Sequence, residues 1–132
     1  MIAYADDKMI SGVFITFSGN CKKALSFYQS CFGGLLQFES FEEAINGYAG
    51  MPVVRGSLVS DRIVIHGSDL VHNEGRKLGN HMAIFLPCKS IGDRKELLIK
   101  MVFDNGNFPV TDDEQKLIEI TDAFDVRWIL SI

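Results

Sequence analysis

The side chains of this 132-residue chain best suited to act on a small molecule are three histidines, His66, His72 and His81, and two arginines beside apolar positions, Arg55 and Arg127. Imidazole titrates near neutral pH, so His81 can bind a polar group or pass a proton. His81 follows Gly79 and Asn80 at the start of an apolar run, where the other reading is a histidine satisfied by backbone. Arg127 presents a planar fork of donors that fits an anionic group, or equally a surface salt bridge to one of the acids around it. Arg55, next to Val54, carries the same two readings. His66 ends an apolar run and reads as a cap on a sheet edge, whereas His72 lies in a polar stretch and reads as solvated.

Several chemistries are excluded by spacing. Ser57, Ser60 and His66 are close in sequence, but nothing places an acid behind the imidazole, so no Ser-His-Asp set is implied. Cys21, Cys31 and Cys88 form neither a CxxC nor a zinc-type spacing, and read as reduced thiols used as small apolar side chains. The glycines at 33, 34 and 67 lack the strand, loop and helix context of a phosphate cradle. The net charge of −4, from 13 basic and 17 acidic residues, with no basic run longer than two, argues against nucleic acid and anionic membranes as partners. No window approaches the roughly 20 apolar residues of a membrane span, and the first residues lack a basic segment followed by an apolar core. The expected location is cytoplasmic.

The elements that must position these side chains are clearest from Val13 to Gly34. Val13, Ile15 and Phe17 alternate with Phe14, Thr16 and Ser18, the period of a strand. Asn20 is placed to cap a helix with its side-chain oxygen; Ala24, Phe27, Tyr28 and Cys31 form its apolar stripe, and Gly33 and Gly34 stop it. Leu35 to Phe41 reads as a second strand and Glu42 to Pro52 as a loop. Val53–Val59 and Arg62–His66 read as a hairpin turning at Ser60 and Asp61, followed by a polar connection from Gly67 to Asn80.

The second half repeats the outline. A strand is expected over 81–86 and a helix over 91–105, capped by Ser90 with Asp93 in a capping box and buried through Leu97, Leu98, Met101 and Val102. A short strand at Phe108–Thr111 and a hairpin of 116–121 with 126–132, turning at Asp122 to Asp125, complete it. Tyr28 and Trp128 read as core aromatics. The 47% apolar content supports one domain. The expected class is α+β: two βαβββ modules, about 10–70 and about 80–132, each leaving one apolar sheet face that its single helix does not cover.

The run FSGNCKKALSFYQSCFGG, with the terminal DAFDVRWIL, resembles the PhnB-like branch of the vicinal oxygen chelate superfamily, the glyoxalase and bleomycin-resistance fold, over nearly the whole chain. The resemblance implies that the modules curl into incomplete barrels with a hollow for ligands. It places Val13, Val54, His81 and Ile129 where metal-dependent members carry their four ligands. Only His81 can donate, so no metal and no other cofactor is expected; a register slip of one would bring Arg55 or Trp128 inward, and neither is a ligand. In the hollow, His81 and Arg127 are the candidate catalytic residues, with Val13, Phe17, Val54, Arg55, Phe85 and Ile129 as candidate ligand-binding residues. Two functions follow: a metal-free enzyme acting on a small anionic molecule, or a non-catalytic binder like the antibiotic-resistance relatives. A methyltransferase activity, sometimes attached to PhnB-like proteins, is not expected without a glycine-rich nucleotide loop. A homodimer is expected, two copies completing each other's hollows.

Overall fold

A computed structural model describes residues 10–40, 53–69, 76–102 and 114–132. The chain divides into two compact units, Met1–Lys77 and Leu78–Ile132. The first holds β1 (Val13–Thr16), α1 (Cys21–Phe32), β2 (Leu35–Ser40), β3 (Val53–Val59) and β4 (Val64–Ser68). Its sheet runs β1-β4-β3-β2, with β1 parallel to β4 and the other pairs antiparallel. The second holds β5 (Ile84–Pro87), α2 (Ile91–Val102), β6 (Leu117–Thr121) and β7 (Arg127–Ser131). Its described strands run β5-β7-β6, again with the first strand parallel to the last and the last antiparallel to its predecessor. The class is therefore α+β, as the sequence implied, with one helix among the described residues of each unit. The expected loop at 42–52, the strand at Phe108–Thr111, the end of α2 beyond Val102, and Phe41, His72 and Phe103 lie outside the described residues.

In the first unit, α1 buries Cys21, Ala24, Leu25, Tyr28 and Cys31. Leu25 takes a place the apolar spacing gave to Phe27, which is half-buried and meets Tyr28 at a ring separation of 5.6 Å. Gly33 and Gly34 both have positive φ, and a side chain at Gly34 would strike the Val59 carbonyl, so the sharp exit from helix to β2 needs glycine there.

The helix start departs from expectation. Asn20 occupies the N-cap position, yet its side chain makes no capping hydrogen bond. The capping acceptor is Asp69, just beyond β4: its Oδ1 accepts from the backbone N–H of Gly19 and of Cys21, both at 2.9 Å, and its Oδ2 from that of Val53 at 2.9 Å. A carboxylate only 2% exposed is tolerable because backbone donors from two segments surround it. Asp69 and Gly67 thus belong to the ordered sheet end and not to a polar connection.

Polar contacts fix the ends of the elements in the second unit. Ser90 Oγ accepts from Asp93 N–H at 3.1 Å while Asp93 Oδ2 accepts from Lys89 N–H at 2.9 Å, close to the expected capping box. Asp122 Oδ1 accepts from Phe124 N–H at 2.8 Å and Val126 N–H at 3.1 Å, and its Oδ2 from Trp128 Nε1–H at 2.9 Å. This one carboxylate closes the β6–β7 turn, which passes Asp125 at φ 63°, and fixes the indole in the core. Arg94, on the buried face of α2 with Leu97, Leu98 and Met101, is 1% exposed and donates from Nη1 to the Gln115 carbonyl at 2.6 Å.

Candidate functional site

Strand alternation gives each sheet a face toward its helix and a face away from it. In the first unit, one row across the strands is Ile15, Gly67, Gly56 and Phe38. A side chain on Gly56 would meet Leu25 of α1 at 2.7 Å, and one on Gly67 would meet Cys21 Sγ at 3.1 Å, so this row faces the helix. The adjacent row, Phe14, His66, Ser57 and Gln37, therefore lies on the other face. There Ser57 Oγ and His66 Nδ1 are 2.8 Å apart, both residues half-buried. Phe14, the β1 partner of His66, is 59% exposed. Thr16 and Ser68 form the next registered pair beyond them, and Arg55, exposed, stands opposite Glu39 on the same side. Burial first, and then the Arg55 charge, lower the His66 pKa below its usual 6.5. Of the two ring nitrogens, Nδ1 is the one engaged by Ser57.

The sequence places no acid behind this pair and reads His66 as a cap on a sheet edge. The structure corrects that reading, since β4 is an interior strand flanked by β1 and β3. The signal lay in the hairpin. Ser60 N–H donates to the Ile63 carbonyl at 3.1 Å and Ser60 Oγ accepts from Ile63 N–H at 3.0 Å, so the turn residues are Asp61 and Arg62, one later than expected. That shift brings Ser57 against His66.

The predicted wall residues of the first unit are redistributed. Phe17 is fully buried beside Gly67 and Cys21, in the layer between sheet and helix, with the Arg76 guanidinium 5.3 Å from its ring centre. Val13 pairs with the fully buried Ile65, and so turns to the helix side as well. The β1 residue on the helix-free face is Phe14. Val54 is the extra residue of a bulge, for Glu39 pairs with Arg55 but Ser40 with Val53. Arg55 alone of these four stands with His66.

In the second unit, Phe85, Ile129 and Glu119 form one row on the face away from the buried Leu86, Trp128, Leu130, Ile118 and Ile120. Phe85 is 60% exposed there. Arg127 is on that face too, but its guanidinium is committed: Nε and Nη2 donate to Glu119 Oε2 at 3.1 and 2.8 Å, and Nη1 donates to the carbonyls of Asn80 at 2.7 Å and Met82 at 2.8 Å. Of the two readings of Arg127, the salt bridge is the one present, extended into a staple on the approach to β5. His81 is exposed and lies in that stapled approach, since β5 begins at Ile84 and not at position 81. It is neither buried nor on a strand.

The four positions that would carry a superfamily metal are divided between the units, Val13 and Val54 in one, His81 and Ile129 in the other. Three aliphatic side chains and one imidazole do not fit a divalent ion. Among the described residues no three His, Cys, Asp or Glu side chains gather to hold one. No helix among them is long and apolar enough to cross a membrane.

No family model matches the sequence, and no curated protein does. Solved structures do resemble the fold. Protein PA1353 from Pseudomonas aeruginosa superposes with a TM-score of 0.71 at 22% identity, covering 92% of this chain and 96% of that one. A PhnB protein from Bacillus cereus, provisionally named a 3-demethylubiquinone-9 3-methyltransferase, gives 0.69 at 18% identity over 92% and 97%. A gene product of Arabidopsis thaliana gives 0.56 at 17% over 93% and 97%. At these identities the likeness establishes a PhnB-like glyoxalase fold.

Proposed function

We propose that this chain binds a small molecule on the helix-free face of its first sheet, around His66, and does so without the superfamily's metal. The observation that carries the reading is the 2.8 Å contact between Ser57 Oγ and His66 Nδ1 on a face not covered by α1. A hydroxyl fixes the imidazole, Phe14 supplies exposed apolar area beside it, and Nε2 remains for a ligand. The fold shared with the PhnB protein supports a ligand-handling role by analogy. The poor donor set at Val13, Val54, His81 and Ile129 supports a metal-free one. The reading includes a homodimer, for which the support is apolar area more than half exposed on both sheets: Phe14 and Leu35 on the first, Phe85 and Leu117 on the second.

The test follows the ring resonances of His66 and His81 while aromatic and aliphatic small molecules, neutral and charged, are titrated in. Saturable shifts at His66 that vanish in Ser57→Ala are expected. Shifts at His81 with His66 silent would overturn the placement. Recovery of the bound molecule unchanged assigns a binding role, and its conversion in a His66-dependent manner assigns an enzymatic one.

A further inference from the structure

We infer that the ligand of this face is a small anion carried on a flat apolar body, its charged group held between Arg55 and His66 and its body resting on Phe14. The inference rests on the reading just given and adds the chemical class. Three residues on three adjacent strands set it. Phe14 and His66 are registered partners, so their side chains are neighbours about 5 Å apart in backbone spacing. Ser57, on the opposite side of His66, holds Nδ1 at 2.8 Å; in the tautomer in which Nδ1 accepts from this hydroxyl, Nε2 is an N–H donor directed away from the dyad. Arg55 lies two residues before Ser57 on β3, on the same face, and its charge is felt at the imidazole.

A ligand reaching from Phe14 across His66 to Arg55 spans two strand spacings, on the order of 10 Å, which an aromatic acid and an extended arginine cover together. The acid would meet a guanidinium and an imidazole N–H, two donors and a full positive charge. A cation would meet the same guanidinium and be repelled. Glu39, the strand partner of Arg55, is exposed to solvent. Thr16 and the buried Ser68 form the registered pair next along these strands.

The experiment compares benzoate, benzyl alcohol and benzylammonium by calorimetric titration, with His66 ring shifts as the position marker. Benzoate is expected to bind and shift His66, with benzyl alcohol about tenfold weaker or more and benzylammonium silent. Arg55→Gln should reduce benzoate to the benzyl alcohol level, and Phe14→Ala should weaken both. Equal binding of benzyl alcohol and benzoate at His66, or benzoate binding unaffected by Arg55→Gln, would overturn the anionic class while the site stands. If none of the three moves His66 but an aliphatic probe does, the apolar body on Phe14 is wrong. If no probe of any kind reaches His66, the site itself fails, and the inference with it.

Discussion

The Asp69 carboxylate accepts the backbone N–H of Cys21 at 2.9 Å across 48 residues of sequence, and so the end of β4 caps the start of α1. The same carboxylate also holds Gly19 and Val53. Replacing it by alanine leaves three backbone donors without this acceptor, two of them buried. Asp69→Ala should cost about 3–5 kcal/mol in urea denaturation, and Asp69→Asn less, since the amide keeps one acceptor oxygen. A loss below about 1 kcal/mol for the alanine variant would show that the cap is not a main support of the first unit.

Cys21, fully buried beneath this cap, has its thiol pushed up to about 12 from 9.0, first by burial and then by the Asp69 charge. A raised pKa means that the folded state keeps a proton the unfolded state gives up. The stabilisation is complete below pH 9.0 and is lost as pH rises toward about 12. Cys21→Ala should flatten the alkaline limb of the stability curve in that window. The native thiol should resist a disulfide reagent at pH 8 until the protein unfolds; prompt labelling at Cys21 would contradict the burial.

Much of this architecture was legible in the chain because local signals agreed with tertiary structure. The Val13–Gly34 run reads as strand, helix and glycine stop, and appears so. What the sequence hid was long-range. An acceptor 48 residues away replaced the neighbour Asn20 as the cap, and no local pattern announces that. A turn one residue later than the local spacing implies re-pairs the hairpin, and only that register makes Ser57 and His66 partners. On β1 the alternation was clear but its sense was not. Phe14 and Phe17 are both large and apolar, and only the position of α1 decides that Phe17 is core. A buried arginine on an apolar stripe, as at Arg94, contradicts its residue type, and the carbonyl it donates to lies 21 residues on.

Titration offers a direct check on the candidate site. His66 has a lowered pKa from burial and, second, from Arg55, so its proton is taken up more readily by the unfolded chain. Its stabilising contribution is present above pH 6.5 and is lost as pH falls through the lower folded value. Arg55→Gln should raise the His66 pKa part of the way back, burial remaining, as followed by its ring proton shifts. A His66 that titrates at or above 6.5 in the native protein would argue that the face is open to bulk water and that Arg55 is remote.

Arg127 distinguishes a staple from a simple ion pair. Its side chain is 22% exposed and that of Glu119 is 51% exposed, so the pair alone is worth at most about 1 kcal/mol. Glu119→Gln should therefore change stability little. Arg127→Ala removes the donors to Asn80 and Met82 as well, and should cost about 1–2 kcal/mol more in thermal denaturation. Equal effects of the two substitutions would mean that the carbonyl contacts contribute nothing.

Assembly is the last expectation and the one that bears on every exposed aromatic in the molecule. Phe14 and Leu35 on the first sheet, at 59% and 53% exposure, and Phe85 and Leu117 on the second, at 60% and 56%, stand on faces turned away from the helices. Large apolar side chains left to water in such number mark surfaces that another chain or a ligand covers. We therefore expect a two-fold homodimer burying on the order of 2,000 Å² in total, mostly apolar. In sedimentation at micromolar concentration, the native chain should run at twice its 14.7 kDa mass, and Phe85→Glu, which places a charge on the exposed face of the second sheet, should shift it toward monomer. A single species of one-chain mass, unchanged on concentrating, would show that one polypeptide covers its own apolar faces, and Phe14 would then be left to the ligand alone.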